Sequence, residues 1–392
     1  LSKSWFSRLI TAWQSYFALQ KLTENSLVFY AESNADWAHM GQVVRCLVDN
    51  HRQPLICVTS DINDPILNND NPLMKTFFIG DGTARTLFFQ GLKARAMVMT
   101  LTDLNVYYLK RSINPVHYFY IFHALVSSHA AYRQHAFDSY DSIFCVGPYH
   151  VDEIRFQEKV YGLRAKNLLE GGYCRLDQLM NDVEKSNSPV AQDSAEKQLT
   201  VLVSPTWGES SMVGRCLEEI LQILTDAKIN TILRLHPMTL RYQPDLPERL
   251  EKRFLSGGFF TFDRQLQTTD SLLRANVMIA DHGGSGIEFA LGLKKPVISI
   301  ATPAKIHNPG RDRIELPLFE DIIRPLIGEV LRLDQLASLP ETVKEIHTQA
   351  PQWRQKLADL HRQFIFNTGS SASVMAEHVY RFVSKSEKGS AP

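Results

Sequence analysis

The chain has 392 residues, of which 44% are hydrophobic, 21% charged and 10% aromatic. That is ordinary globular composition, and at ~100–200 residues per domain it implies two or three domains. Its 42 Lys and Arg balance 42 Asp and Glu, which argues against a broad nucleic-acid surface, and no nucleic-acid partner is expected. The longest apolar stretch, around Tyr118–Val126, is interrupted by His123 and falls short of the ~20 residues of a transmembrane helix. The chain opens on Leu1 rather than Met, as a chain from which a leader or anchoring segment has been removed would. Cys46, Cys57, Cys145, Cys174 and Cys216 form no C-x-x-C pair and no zinc-finger spacing. Most lie in apolar runs and read as buried, reduced thiols of a cytosolic protein.

In chain order, residues 1–25 come first. Trp5, Phe6, Leu9, Ile10, Trp13, Tyr16 and Phe17 fall at helical spacing, with Lys3, Arg8 and Lys21 as the only charges before Glu24. This is either a helix lying in a membrane interface or one packed on its own domain. An alternation of short apolar strands and helices follows, over residues 26–183. Strands are expected at Ser26–Tyr30, Pro54–Thr59, Thr76–Ile79, Ala96–Met99, His117–Phe122 and Ser142–Val146, and helices at Trp37–Asn50, Thr83–Leu92 and Tyr149–Tyr161. Residues 184–198 are polar, without an apolar period, and read as a linker.

The alternation then restarts over residues 199–368. It places strands at Leu199–Ser204, Asn230–Leu235, Phe259–Phe262, Val277–Ala280 and Pro296–Ile300, with one helix over Ser211–Asp226 and a helical run over Leu339–Phe366. Residues 369–392 read as a last helix, Ser373–Val383, and a disordered tail. The fold class is therefore α/β: two Rossmann-like, doubly wound domains facing a cleft, with an N-terminal amphipathic helix and a helical C-terminus. Ligands in such sheets bind beyond the carboxyl ends of the strands, so the residues that matter should follow strands.

Ala280-Asp-His-Gly-Gly-Ser-Gly286 passes that filter best, lying between a strand and a helix. Glycines admit close approach of backbone N–H groups to an anion, the helix start adds a positive dipole end, and Ser285 adds a hydroxyl. Asp281, Gly283, Gly284, Ser285 and Gly286 are accordingly nucleotide or phosphate ligands, against the alternative of a plain strand-to-helix turn. In Leu233-Arg-Leu-His-Pro237 the proline holds His236 extended at a strand end, with Arg234 two residues before it on the same face. His123 ends the strand His117–Phe122, and Ser127, Ser128 and His129 follow. A histidine there suits a general base for a hydroxyl nucleophile, a satisfied core histidine being the alternative. Ser204-Pro-Thr-Trp207 brings Thr206 and Trp207 to the nucleotide side, while Arg175 and Asp177 suggest only a local salt bridge.

These motifs, in this order over roughly residues 115–300, resemble the CDP-glycerol glycerophosphotransferases, the teichoic-acid primases and polymerases. The family's Gly-Tyr-Pro-Arg-Asn-Asp is similar to Gly172-Tyr-Cys-Arg-Leu-Asp177, and its Ala-Pro-Thr-Trp-Arg to Ser204-Pro-Thr-Trp-Gly208. Its Leu-Arg/Lys-x-His-Pro resembles Leu233 to Pro237. Its Ala-Asp-x-Leu-Ile-Thr-Asp-Tyr-Ser-Ser, followed by Phe-Asp-Phe-Ala, resembles Ala275 to Asp281 and then Ile287 to Ala290. Its Trp-His-Gly-Thr-Pro-Leu-Lys best matches Phe122-His123-Ala124. His-Gly-Gly-Ser-Gly stands here in place of Tyr-Ser-Ser, Cys174 in place of the proline, and the Gly-Thr-Pro-Leu-Lys after the first histidine is absent.

The resemblance implies a glycosyltransferase-B fold and a transferase moving glycerol phosphate from a CDP-linked donor to a hydroxyl of a cell-surface glycan or lipid-linked acceptor. His123 and His236 would be catalytic. Arg234 and the glycine loop would hold the diphosphate, Glu288 would meet ribose hydroxyls, and Ser127, Ser128 and His129 would face the acceptor. No cofactor or metal is expected. The location would be cytoplasmic, peripheral at the inner face of the membrane if the first helix binds lipid. His-Gly-Gly at a phosphate loop also occurs in nucleotide-sugar enzymes, so a sugar transferase, a nucleotide-sugar epimerase and a non-catalytic nucleotide-binding assembly factor stay open.

Overall fold

The computed structural model describes residues 5–185, 199–265, 268–304 and 306–385. The linker expectation for 184–198 and the tail expectation for 384–392 fall largely outside these residues. The first domain runs α1 (Trp5–Leu19), β1 (Leu27–Ala31), α2 (Trp37–His51), β2 (Leu55–Thr59), β3 (Met74–Phe78), α3 (Thr83–Gly91), β4 (Ala96–Met99), β5 (His117–Ile121), β6 (Ser142–Cys145), α4 (Pro148–Tyr161), β7 (Asn167–Glu170) and α5 (Cys174–Lys185). Its strands form one parallel sheet in the order β3-β2-β1-β4-β5-β6-β7. The central strands are buried at every position because helices cover both faces, which is why they read as unbroken apolar runs.

The second domain runs β8 (Thr200–Ser204), α6 (Met212–Arg215), α7 (Leu217–Asp226), β9 (Asn230–Leu233), α8 (Pro237–Tyr242), α9 (Leu246–Phe254), β10 (Phe260–Phe262), α10 (Asp270–Arg274), β11 (Val277–Ala280), α11 (Gly284–Leu293), β12 (Val297–Ile300), α12 (Phe319–Ile323), β13 (Gly328–Leu331), α13 (Leu339–Thr348) and α14 (Ala350–Phe364). Its parallel sheet has the order β10-β9-β8-β11-β12-β13, with the switch point between β8 and β11. The helix expected over Ser211–Asp226 is broken at Cys216, whose backbone leaves the helical region. The run expected over Leu339–Phe366 is likewise two helices, with proline in the first turn of the second.

α15 (Ser371–Ser384) belongs to the first domain rather than forming a separate tail. Ala372, Met375, Ala376, Val379 and Val383 share a core with Phe29, Val44, Leu47 and Phe144. The returning chain crosses at Gly172, where φ is +84° and a Cβ would strike Phe366 O and Ser371 Oγ, so only glycine fits. α11 carries the domain junction. It is apolar almost all round, and Gly292 lets Leu176 and Leu179 of α5 lie against it.

α1 uses two faces. Ala12, Ser15 and Leu19 are buried, with Trp13 and Tyr16 packed beside them, and the helix lies on α3 and β3. Trp5, Phe6, Leu9, Ile10 and Phe17 point outward. The expected Trp5, Leu9, Trp13, Phe17 stripe is therefore split, Trp13 going to the core.

Candidate active site

The carboxyl ends of both sheets open on one cleft of about 780 Å³. Chain segments that follow strands line it, among them Asn34–His39 after β1, His123–Val126 after β5, Ser204–Trp207 after β8, Arg234–Pro237 after β9 and His282–Ser285 after β11. His123, Arg234, His236, Thr206, Trp207, Gly283, Gly284, Ser285 and Glu288 all reach it.

The loop between β11 and α11 forms the second-domain wall. None of its glycines has a positive φ; close approach is what they permit. A Cβ on Gly283 would collide with Thr206 Cγ2, and one on Gly284 would stand 3.3 Å from Leu125 N in the first domain. Gly286 is turned inward, its Cβ direction 3.2 Å from Ala280 Cβ, and does not line the cleft. Its Cα side is needed for packing of α11 on β11 and β12. Asp281 is also corrected. It is 3% exposed and accepts the N–H groups of Thr206 and Met212, at 2.8 and 2.7 Å. Its carboxylate ties the β8 and β11 loops together below the site. The residue between them, His282, does line the cleft and was passed over although it sits inside the motif. It accepts from Arg324 Nη1. Burial first and Arg324 second push its pKa down to about 4, so the imidazole is neutral.

On the same wall His236 caps α8, its Nδ1 accepting from Met238 N at 3.1 Å. Trp207 lies beside it, ring centroids 6.4 Å apart, and stacks on exposed Tyr242 at 5.9 Å. Arg234 Nη1 donates to Asp263 Oδ2, Thr268 O and Ser271 Oγ. Its guanidinium is thus a cation held in place at the cleft wall.

The first-domain wall centres on His123. Tyr120 Oη lies 3.2 Å from its Nδ1. Burial lowers its pKa, with the Asp36 carboxylate and the Thr100 carbonyl opposing. Asp36 is itself fixed, by Thr100 Oγ1 on one oxygen and by the N–H groups of Glu32 and Ser33 on the other. His39, from the first turn of α2, stands next to it, ring centroids 6.2 Å apart. Nothing in the local pattern around His39 marks it; only the parallel pairing of β1, β4 and β5 brings it to His123.

Ser127, Ser128 and His129 do not face an acceptor. All three are buried, at 0%, 1% and 0% exposure. Ser127 N donates to Glu320 Oε2 of the second domain, and Ser127 Oγ accepts from Phe319 N. Ser128 N and Oγ both donate to Glu153 Oε2, and His129 Nδ1 lies 3.3 Å from Glu153 Oε1. The chain dives inward after Leu125: Ser127 and the His129 carbonyl, which accepts from Asn308 Nδ2, fasten the domains to each other, and Ser128 ties the segment to α4.

Arg175 and Asp177 are not locally paired. Arg175 Nε donates to Glu288 Oε2 across the domain boundary at 2.7 Å, and Tyr173 Oη donates to Glu288 Oε1 at 2.8 Å. Asp177 accepts from the N–H groups of Gly369 and Ser371 and so fixes the start of α15. Glu288, expected to be open to a ribose, has both oxygens occupied.

Among the described residues no group of three or more His, Cys, Asp or Glu side chains is placed to hold a metal ion. No curated protein matches the sequence. The fold matches the wall teichoic acid polymerase TagF, with TM-score 0.62 and 15% identity over 97% of this chain and 98% of that one. It also matches a TagF variant soaked with CDPG, with TM-score 0.61 and 13% identity over 97% and 94% of the chains. A UDP-GlcNAc 2-epimerase from Neisseria meningitidis, bound to UDP-GlcNAc, matches with TM-score 0.56 and 10% identity over 92% and 100%. The two facing parallel sheets are thus the glycosyltransferase-B arrangement. The family model described as CDP-glycerol:poly(glycerophosphate) glycerophosphotransferase matches residues 125–383, and the chain belongs to that transferase family.

Proposed function

We propose that the cleft transfers glycerol phosphate from CDP-glycerol to a hydroxyl of a phosphate-bearing glycan or lipid-linked acceptor, with His123 as general base. The observation that carries this reading is the meeting of Gly284 and Leu125 across the cleft, which sets the phosphate loop two residues from His123. The donor diphosphate would lie on the α11 start, where backbone N–H groups and Ser285 face it. His123, kept neutral by burial, removes the proton from the acceptor hydroxyl. The oxygen attacks the phosphorus that carries glycerol, a new P–O bond forms, and the P–O bond to CMP breaks. His236, Arg234 and Ser285 oppose the charge that builds on departing CMP. Trp207 offers its ring on the nucleotide side.

The outward face of α1, with Arg8 beside it and no acidic residue before Glu24, supports attachment to an anionic membrane surface. No helix among the described residues is long and apolar enough to cross a membrane. The donor is tested by following release of CMP from CDP-glycerol, with UDP-GlcNAc in a parallel reaction. CMP release that depends on an added glycerol phosphate acceptor supports the proposal. Conversion of UDP-GlcNAc without any acceptor would put an epimerase in its place.

A further inference from the structure

The acceptor half of the cleft holds a second histidine that the proposed chemistry leaves without a task. His39 lines the cleft, and its Nδ1 is buried with no hydrogen-bond partner. Burial, then the neighbouring His123 and Arg175, hold its pKa well below the usual histidine value. A neutral imidazole carries one N–H, and a buried N–H without an acceptor is the more expensive of the two ring nitrogens to strand. With the proton on Nε2, Nδ1 keeps its lone pair and no N–H is stranded. Nε2 is then a hydrogen-bond donor on the acceptor wall.

Its surroundings suit an anion. His39 stands in the first turn of the 15-residue α2, at the positive end of the helix dipole, and the preceding turn residues Asn34 and Ala35 line the same wall. The carboxylates nearby are already engaged: Asp36 by Thr100 Oγ1 and two backbone N–H groups, Glu288 by Tyr173 and Arg175. The spacing suits a particular anion as well. The His39 and His123 rings are 6.2 Å apart. In an extended three-carbon polyol phosphate, bonds near 1.5 Å put the far hydroxyl about 6 Å from phosphorus.

We infer that His39 and the first turn of α2 form a binding site for the phosphate that the acceptor carries next to its reacting hydroxyl. This rests on the proposed reading of His123 as the base. His39 thereby selects a glycerol phosphate end over a plain polyol and sets its hydroxyl against His123.

The test uses glycerol 3-phosphate and glycerol as small acceptors with saturating CDP-glycerol, in wild type, His39→Ala and His39→Asn. The expected result is about a tenfold rise in KM for glycerol 3-phosphate in His39→Ala, the size of one hydrogen bond to a charged group. His39→Asn, which keeps a donor, should recover part of it. The KM for CDP-glycerol and the rate with glycerol should change far less than the KM for glycerol 3-phosphate, with folding of both variants checked by melting, since the His39 ring packs on His123 and Tyr173. Equal losses with both acceptors, or an equal rise in donor KM, would overturn the site. Calorimetric titration of CMP-saturated protein with glycerol 3-phosphate reads the same site without turnover. Equal affinity in wild type and His39→Ala there overturns the site, whereas wild type that binds glycerol 3-phosphate but never releases CMP overturns the donor reading alone.

Discussion

Arg175 and Glu288 join the two domains through an ion pair, Nε to Oε2 at 2.7 Å, at the edge of the cleft. Tyr173 closes the arrangement from the first-domain side. The pair is partly exposed, so it ranks between a surface bridge and a buried one. Arg175→Ala should therefore lower stability by about 1–2 kcal/mol in urea denaturation. Glu288→Gln, which can still accept from Tyr173, should lose less. Equal stability of wild type and Arg175→Ala would show that the pair contributes nothing.

The glycine loop separates scaffold from ligand contact. Ser285→Ala should weaken CDP-glycerol binding by about 1–2 kcal/mol with little change in melting, since it removes one hydrogen bond to a charged group. Gly283→Ala should destabilise the fold, because its methyl meets Thr206. Asp281→Ala should also destabilise, by roughly 2–4 kcal/mol, because it strands the Thr206 and Met212 N–H groups. Melting curves and donor titration of the three variants check this. A large loss of donor affinity in a well-folded Asp281→Ala protein would return that carboxylate to the ligand set.

The two cleft histidines should differ in what they affect. His123→Ala should cut turnover by about 10²–10⁴-fold and leave donor affinity near wild type. His236→Ala should lower both. The pH profile carries the sign of the burial effect. With its pKa depressed, His123 stays unprotonated below the ordinary value of about 6.5. The acidic limb of kcat/KM should accordingly fall below that pH. A limb at or above 6.5 would assign the base elsewhere.

His150 predicts part of the acid response. It is fully buried, accepts from Val146 N on Nδ1 and faces Val126 O with Nε2, and its pKa is pushed down to about 4 by burial. The unfolded chain takes up this proton near pH 6.5, before the folded chain does. Stability is therefore full above 6.5 and declines as pH falls towards 4, with a slope of up to about 1.4 kcal/mol per pH unit for this group. His150→Gln has no proton to gain, so its stability curve over that range should be flatter. A parallel slope in the variant would place the acid sensitivity elsewhere.

The outer face of α1 should be separable from its inner face. Replacing Trp5, Phe6, Ile10 and Phe17 by Ser should abolish sedimentation with anionic vesicles and leave the melting temperature unchanged. Ala12→Asp should do the opposite, since Ala12 faces the core. Vesicle binding that survives the four serines would remove the membrane proposal.

The strands and their order of use were legible because a buried parallel strand is a short apolar run with a turn at its carboxyl end. That filter led to His123, Arg234, His236 and Ser285, which do share the cleft. It failed where the chain's direction after the turn matters. Ser127, Ser128 and His129 follow a strand end as His123 does, yet their partners are Glu153 on α4 and Glu320, the latter 193 residues from Ser127. β7 and β13 were not seen because these two edge strands, Asn167–Glu170 and Gly328–Leu331, carry exposed polar positions and lack the apolar run that the edge strands β3 and β10 keep. Arg175 read as a local partner of Asp177 because Glu288 is 113 residues away in the chain.

The return of α15 to the first domain sets the order in which the protein can be completed during synthesis. Leu27, Phe29 and Val44 are made early, but one side of their core is supplied by Ala372, Met375 and Val379. At about 5–20 residues per second, the nascent first domain waits tens of seconds with that apolar surface open. The second domain, whose sheet is finished by β13, has no such wait. A premature stop just before Ser371 would leave the second domain's sheet intact and unmake the half encoded at the other end of the message.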